Sequence, residues 1–419
     1  MNTNVRRFRY LSGRLPPTTS RRLTVLTGAR QTGKTTLARA RYSDLRYVNL
    51  DDVDVRHDLR ALRAASWGAS VGAAILDEAQ KEPAIFDKLK AAFDGGAIDF
   101  SVLLGSSRIL LLERVRETLA GRAFVYELWP LMASELRRAA DQGPDPPLLD
   151  RLLASPQPID AALAAEPELL VGAEEEARRD AIAHLAAWGG MPELLRLDDA
   201  ERREWLRSYQ QTYLERDLTD LVRLSDLEPF RALQVLCALR SGGLLSYSEL
   251  ARDAGVSPAT ARRYLEYLHV SYQILRLPPF RRNLTSSVVK SPKLYWLDLG
   301  LLRQVTRQWG ELTGGQFETL AVGEIHKWCT TSGRDVALTF YRTRSGLEVD
   351  VLLETEHGII GIEIKNRERV ARTDTRALRA LAAELGSEWL GGMVVHRGSR
   401  IHPVDDGGGI WAVPLHRLV

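Results

Sequence analysis

One stretch of eight residues, Gly28-Ala29-Arg30-Gln31-Thr32-Gly33-Lys34-Thr35, restricts the fold of this chain more than any other. It has the spacing G-x-x-x-x-G-K-[ST]. The apolar run "LTVLT" at 23–27 leads into it, and "TLARA" continues it with helical text. Glycine at both ends lets the backbone curl so that successive N–H groups point inward, a cradle for phosphate oxygens. The helix that follows offers the positive end of its dipole to the same anion. Residues Gly28, Ala29, Arg30, Gln31, Thr32, Gly33, Lys34, Thr35 and Thr36 are therefore the expected contacts for ATP. Lys34 is expected to bring charge to the β- and γ-phosphates and to act in catalysis, and the Thr35 hydroxyl to ligate Mg²⁺.

Strand, glycine-rich loop and helix in this order imply a parallel sheet, and the next hundred residues carry its other strands. "RYVNLDD" at 46–52, "GAAILDEAQ" at 72–80 and "DFSVLLGSS" at 99–107 are short apolar runs, and helical text, "EPAIFDKLKAAFD", separates the last two. Strands alternating with helices predict a sheet covered on both faces. Asp77 ends an apolar strand, where it would hold Mg²⁺ with Thr35. Glu78 beside it would polarise the attacking water. Standing alone, Asp77-Glu78 would equally suit a helix cap. Ser106, after the fourth strand, is placed to touch the γ-phosphate or the water, or to make an ordinary turn. Arg122, in "ETLAGRAF", has no evident target within its own chain. It is expected either to reach a neighbouring subunit's phosphates or to be a solvated surface arginine.

The chain has 419 residues and a hydrophobic fraction of 45%, enough for two or three domains. A formal net charge of +3 excludes a chain that is basic throughout, so any polyanion surface must be local. Only Cys237 and Cys329 are present, both in apolar segments, so no disulfide framework is expected. The N-terminal residues lack the apolar segment of a secretory signal, and no run is long enough to cross a bilayer. The expected location is the cytoplasm, with no membrane contact.

Residues 137–180 are rich in Ala, Pro and acids and are expected to form a mobile helical insertion or linker. The following text is helical, including "ERREWLRSYQQTYLERDLTDLVRL" at 201–224. Residues 244–276 have the pattern of a helix-turn-helix. "SYSELARDA" ends at Gly255, and Ser257-Pro258 starts a second helix. Thr260, Arg262, Arg263 and Tyr264 on that helix are candidates to enter a DNA major groove. A hairpin or wing should follow, and Arg276, Arg281, Arg282, Lys290 and Lys293 in it could track a phosphate backbone. Packing against the nucleotide domain or a partner protein is the other use of such a unit. Phe280 and Tyr295 are expected in the core.

The last hundred residues hold "LEVDVLLETEHGIIGIEIK" at 347–365, two strands around a turn at His357–Gly358. Charges inside buried strands are costly unless paired or bound to metal. Side chains alternate along a strand, so Glu363 and Lys365 share a face while Ile362 and Ile364 take the other. With Asp350 on the adjacent strand and Glu318 from the preceding helix, these residues make a candidate metal-dependent nuclease site, with Glu324 in reserve for Glu318. The alternative is that Lys365 pairs with the carboxylates and no metal is held. Glu318 sits in a glycine-then-Glu setting that resembles junction-cutting nucleases.

"LTGARQTGKTTLARA", "AAILDEAQ", "LLGSSRILLL", "TLAGRAFVYELWPL", "GGMPELL" and "YLERDLTDLV" occur in an order that resembles prokaryotic AAA-type ATPases fused to a C-terminal domain of unknown function. The resemblance covers nearly the whole chain. It implies a P-loop ATPase domain over 1–136, a helical lid with a winged-helix-like part over 181–310, and an α/β, restriction-endonuclease-like domain over 311–419. Leu104 stands where the group usually has Thr, which leaves Ser106 as the candidate γ-phosphate contact. The expected activity is Mg²⁺-dependent ATP hydrolysis coupled to conformational change near DNA, in a homo-oligomer. The alternatives are an ATP-regulated DNA-binding switch in a defence or toxin–antitoxin setting, and a metal-dependent nuclease. A protein partner would dock through the lid or the end domain.

Overall fold

A computed structural model describes residues 6–105, 108–214, 227–280, 291–404 and 409–419. The chain is α/β. Its first sheet has five parallel strands: β1 (Arg22–Thr27), β2 (Arg46–Asn49), β3 (Ala74–Asp77), β4 (Phe100–Gly105) and β5 (Ala123–Glu127), in the order β2-β3-β4-β1-β5. Every residue of β3 and β4 is buried, as expected of strands covered by helices on both faces. From β1 the chain crosses to β2, returns through β3 and β4, and then passes to β5 on the other side. The carboxyl end of β1 is thus where connections diverge, and such a switch point leaves a crevice for a ligand. The 28–35 loop lies there.

The middle of the chain is helical. Helices Tyr247–Asp253 and Pro258–Val270 are joined by a tight turn at Gly255, and Ser257 caps the second by accepting from the Thr260 N–H. A two-stranded antiparallel ribbon, β6 (Ile274–Leu277) and β7 (Lys293–Trp296), follows. The helical text at 201–224 is described as far as 214: a helix, Asp199–Tyr209, runs into a single π turn, Gln210–Leu214.

The "GGMPELL" stretch has a packing explanation. Buried Asp298 accepts the Gly190 N–H at 2.8 Å and the Leu301 N–H at 3.0 Å, and the Leu131 N–H donates to the Gly190 carbonyl at 2.7 Å. A Cβ on Gly190 would lie 2.3 Å from the Leu131 oxygen, and one on Gly300 would lie 1.8 Å from the Trp188 oxygen. Three backbones therefore meet where no side chain fits. They are the segment after β5, the end of helix Ala173–Trp188, and the start of helix Leu299–Thr306.

The end domain is a mixed sheet in the order β12-β13-β11-β10-β9-β8. Helix Gly314–Ser332 precedes an antiparallel meander of β8 (Ala337–Arg342), β9 (Glu348–Thr355) and β10 (Gly358–Lys365). Helix Arg376–Leu385 then carries the chain over to β11 (Trp389–His396), parallel to β10. β12 (His402–Pro403) and β13 (Ile410–Pro414) complete it.

The segment expected to be a mobile helical insertion or linker is helical, and it is packed rather than mobile. Helices Leu148–Ala154 and Ile159–Ala164 bury Leu148, Leu149, Leu152, Leu153, Ile159 and Leu163. Ile159 fills the space over Gly391 on β11, and Asp160 accepts from the Gly409 N–H and the Trp411 indole. Asp150 pairs with Arg334, and Glu175 with His416. The Ala- and Pro-rich composition suggested mobility, but the first helix packs on helices Gly314–Ser332 and Leu415–Leu418 and the second on β11 and β13. One apolar core runs from Ala29 and Trp129, through these helices, to Val419.

Candidate functional site

The loop at the end of β1 has the conformation its sequence demands. Gly28 has φ +149°, and a Cβ there would lie 2.2 Å from the Leu128 oxygen. Gln31 and Gly33 also have positive φ, +64° and +95°. Helix Lys34–Arg41 starts at once, so Lys34, Thr35 and Thr36 form its first turn. Thr32 Oγ1 donates to the Ala29 carbonyl at 2.9 Å, closing the loop on itself. Lys34 is buried, and its Nζ donates to the carbonyls of Gly28 at 3.0 Å and Ala29 at 2.8 Å.

Asp77, at the carboxyl end of β3, accepts from Thr35 Oγ1 at 2.7 Å on the same oxygen that accepts from the Tyr47 hydroxyl at 2.8 Å. The neighbouring carboxylate raises the Tyr47 pKa further, after burial has already pushed it up. A threonine hydroxyl touching a carboxylate, one residue from a buried ammonium at the mouth of a phosphate-shaped loop, fits a magnesium nucleotide. Thr35 and Asp77 are the residues that would hold the ion. Glu78 has φ +54°, an uncommon conformation for a non-glycine residue, and accepts from Gln80 Nε2 at 2.5 Å. Gly105 makes room for that arrangement, since a Cβ would lie 2.5 Å from Gln80 Oε1. Ser106 lies outside the described residues.

Three further side chains hold the loop and its flanks from outside. Arg9 Nη1 donates to the Thr32 carbonyl at 3.2 Å, and its Nη2 to the Trp129 carbonyl at 2.5 Å. The Tyr209 hydroxyl donates to the Arg30 carbonyl at 3.1 Å, and the Tyr272 hydroxyl lies 3.1 Å from Thr27 Oγ1. A peptide's C=O and N–H point in opposite directions. Carbonyls 30 and 32 held outward therefore aim the N–H groups of Gln31 and Gly33 inward. Tyr209 and Tyr272 belong to the helical middle region, so that region touches the loop directly. Gln80 ends the "AAILDEAQ" motif, but neither tyrosine, nor Arg9 or Tyr47, belongs to a recognisable motif. Only tertiary packing brings them in.

Arg122 is not at this loop. It precedes β5 at the opposite end of the sheet and makes a two-pronged contact with Asp94, 2.6 Å from Nε and 2.9 Å from Nη2. It thus has a partner in its own chain, which was not foreseen. Its hydrogen bond with Asp94 holds the carboxylate below its ordinary range.

The second centre lies in the end domain, and the sequence located most of it. Glu318, Asp350, Glu363 and Lys365 are brought together. The cation between the carboxylates is Lys293, expected on a DNA-facing wing but only 2% exposed. Its Nζ lies 2.9 Å from Glu318 Oε1, 3.1 Å from Asp350 Oδ1, and in contact with Glu348. Lysine is out of place on a solvated wing here because β7 is the inner strand of the ribbon, with all four residues buried. The Tyr295 hydroxyl donates to Glu318 Oε1 at 2.6 Å, and the Ile364 N–H to Asp350 Oδ2 at 2.9 Å. Lys365 contacts Glu363 at 2.5 Å and no other carboxylate of the group, while Glu363 Oε2 is buried with no hydrogen-bond partner among the described residues. Burial works against the charge on Lys293, but Asp350, Glu318 and Glu348 outweigh it and hold its pKa above the ordinary lysine value. Burial, helped by the Asp350 charge, pushes the Glu363 carboxyl up to about 8 against the opposing pull of Lys365. Glu324 is elsewhere. It accepts from the Ala133 N–H at 2.7 Å and pairs with Lys327.

A divalent cation needs several oxygens converging on a position free to receive it. Three carboxylates converge here, but on an ammonium. Among the described residues, no group of three or more His, Cys, Asp or Glu is arranged to hold a metal ion. The centre as built does not fit the metal expected of it.

On the helix-turn-helix, Arg262 and Arg263 are exposed, and the Arg262 guanidinium lies over the Tyr247 ring at 4.7 Å. Tyr264, expected to face a groove, is buried against Phe230 with ring centroids 5.3 Å apart. Arg276 pairs with Glu266. Arg281, Arg282 and Lys290 lie outside the described residues. Phe280 and Tyr295 are in the core as expected. No helix among the described residues is long and apolar enough to cross a membrane.

A family profile described as an AAA domain matches residues 20–137. Two profiles described as domains of unknown function, DUF8612 and DUF4143, match residues 179–311 and 313–418. Uncharacterized proteins of Mycobacterium tuberculosis and Mycobacterium bovis are each 28% identical over 412 residues, covering 94% of this chain and 80% of theirs. Among solved structures, a Walker-type ATPase of Pyrococcus abyssi is 17% identical and covers 68% of this chain and 90% of its own, with a TM-score of 0.42. The ORC2 protein of Aeropyrum pernix, in its ADP form, is 16% identical and covers 64% and 84%, with a TM-score of 0.27.

Proposed function

We propose that this chain binds and hydrolyses MgATP in the 28–36 loop and that the helical middle region reads the state of the nucleotide. The observation that carries the proposal is the crevice at the carboxyl ends of β1 and β3, where Thr35 donates to buried Asp77 and buried Lys34 donates to the carbonyls of Gly28 and Ala29. Lys34 leaves the loop carbonyls for the phosphates. Asp77, already on Thr35, shares the metal with it. Mg²⁺ in that place neutralises phosphate charge. Glu78, steadied by Gln80, takes the water's proton and orients it for in-line attack. Tyr209 and Tyr272 are the direct mechanical links from loop to helices, because a change at carbonyl 30 or at Thr27 is felt there first.

Arg122 fits a role at a second copy's phosphates, since it is at the opposite end of the sheet from its own loop. It would exchange Asp94 for that site in an oligomer. The exposed Arg262 and Arg263 suit a phosphate backbone, and the helix–meander–helix–parallel-strand order of the end domain supports a restriction-endonuclease-like fold. The test is ATP turnover by the full chain with and without duplex DNA. Lys34→Ala is expected to abolish nucleotide binding, Glu78→Gln to keep binding and lose turnover, and Arg122→Ala to lower turnover only where protomers associate. ATP binding that survives Lys34→Ala would refute the assignment.

A further inference from the structure

We propose that Lys293 is the resident cation of the end domain's acidic centre: its ammonium fills the position a divalent metal would need, so the natural chain keeps these carboxylates together without metal and does not cleave nucleic acid there. The inference is independent of the ATPase reading and runs against the metal-dependent nuclease expected from the sequence.

An ammonium has three N–H donors. Three carboxylates, Glu318, Glu348 and Asp350, surround this one, so its valence is filled by the group. The contacts to Glu318 and Asp350 have ordinary N–H···O lengths of 2.9 and 3.1 Å, whereas Mg²⁺ draws its oxygens to about 2.1 Å. The pocket is therefore sized for nitrogen. The lysine comes from β7, not from the end-domain sheet, and its ammonium lies over the rings of Tyr295 and Phe340, 6.0 and 5.7 Å from their centroids. Lys365, on β10, neutralises Glu363 separately. One feature marks the place as metal-capable once the ammonium is gone: Glu363 Oε2 is buried and has no hydrogen-bond partner among the described residues, a carboxylate oxygen ready to be a ligand. Without its cation the group would carry several buried carboxylates with too little positive charge, which is the condition that recruits a divalent ion.

The test uses the nucleotide-free full-length protein, with Mn²⁺ as the probe, followed by calorimetry and by the Mn²⁺ resonance signal. Wild type is expected to show no Mn²⁺ site that Asp350→Asn removes, and no Mn²⁺-dependent nicking of plasmid DNA. Lys293→Met is expected to gain one site per chain, binding at least tenfold more tightly than any in wild type and lost again in Lys293→Met/Asp350→Asn. Should Lys293→Met not fold, Lys293→Met/Glu348→Gln removes one charge of each sign and leaves Glu318, Asp350 and Glu363 to bind. It is expected to gain the same site. A site in wild type that Asp350→Asn abolishes would overturn the proposal. So would wild-type nicking that Asp350→Asn abolishes, or a folded lysine variant that gains no Mn²⁺. The wild-type measurement decides even if neither lysine variant folds.

Discussion

Replacing Arg9 with methionine should cost this chain about 3–5 kcal/mol of stability and weaken its hold on nucleotide at the same time. The guanidinium is 12% exposed and Glu135 is 1% exposed, with 3.3 Å between Arg9 Nε and Glu135 Oε1. Methionine keeps the apolar stem but strands the carboxylate, and stranding one partner of a buried pair is the expensive case. Glu135 retains the Tyr10 N–H at 3.0 Å and the Met132 N–H at 3.3 Å, which keeps the loss from running higher. Burial already raises the Glu135 pKa, and Arg9 is the largest influence opposing that rise. In Arg9→Met the carboxyl should therefore be protonated when folded and ionised when unfolded over the range above the ordinary carboxylate value. The folded state then binds more protons, so the variant should lose stability as pH rises through that range and recover some of it on acidification. Arg9 also pins the Thr32 carbonyl that aims the Gly33 N–H into the loop. Losing that one hydrogen bond should weaken ATP binding roughly fivefold. The assay is urea unfolding of wild type, Arg9→Met, Glu135→Gln and the double variant at pH 7 and pH 5, with ATP titrations at pH 7. The double variant should be more stable than the sum of the single losses predicts. An Arg9→Met loss under about 1 kcal/mol, or strict additivity in the cycle, would refute the buried-pair account.

Gly300→Ala places a methyl 1.8 Å from the Trp188 carbonyl oxygen and should lower the stability by at least the ~1–3 kcal/mol usual for overpacking, read as a lower urea midpoint, while Gly310→Ala, with nothing within 4 Å among the described residues, should change it little. Equal midpoints in urea would contradict the packing of the "GGMPELL" segment. His184 has its pKa lowered to about 4 by burial first and then by Arg202 and Arg7, so between that value and the ordinary histidine pKa the unfolded chain binds the extra proton. Stability should fall as pH drops through that window, and His184→Gln should flatten the fall in the same unfolding series. If duplex DNA binds, Arg262→Ala/Arg263→Ala should reduce the slope of log affinity against log salt by about 2, as two lost phosphate contacts require. A gel shift with an unchanged slope would remove these residues from the interface.

What could be read from the sequence divides by the distance over which each structure is determined. The 28–36 loop was legible because its conformation is written in consecutive residues: Gly28 and Gly33 permit the backbone, and the helix begins at Lys34. Asp77 and Glu78 were legible only in the company of that loop, since alone a carboxylate pair ending an apolar strand would equally suit a helix cap. The packing of the helices of 148–164 was missed, although their helical character was expected. What holds them is far along the chain: helices Gly314–Ser332 and Leu415–Leu418 for the first, β11 and β13 for the second. Lys293 was misassigned for the same reason in a sharper form. Its neighbours in sequence are a basic stretch on one side and the apolar "LYWLDLGLL" on the other, and the basic stretch suggested a solvated wing. Its partners, Glu318, Glu348 and Asp350, are 25 to 57 residues away on a helix and a strand that have no local signal for it. A buried lysine costs too much to be tolerated by chance, so the apolar side should have carried more weight than the basic side. An ammonium at the start of a wholly buried strand requires carboxylates, and the only segment with enough of them in a sheet was the one taken for a metal centre. The same carboxylates cannot serve both cations at once, which is why the Mn²⁺ titration of wild type against Lys293→Met decides between them.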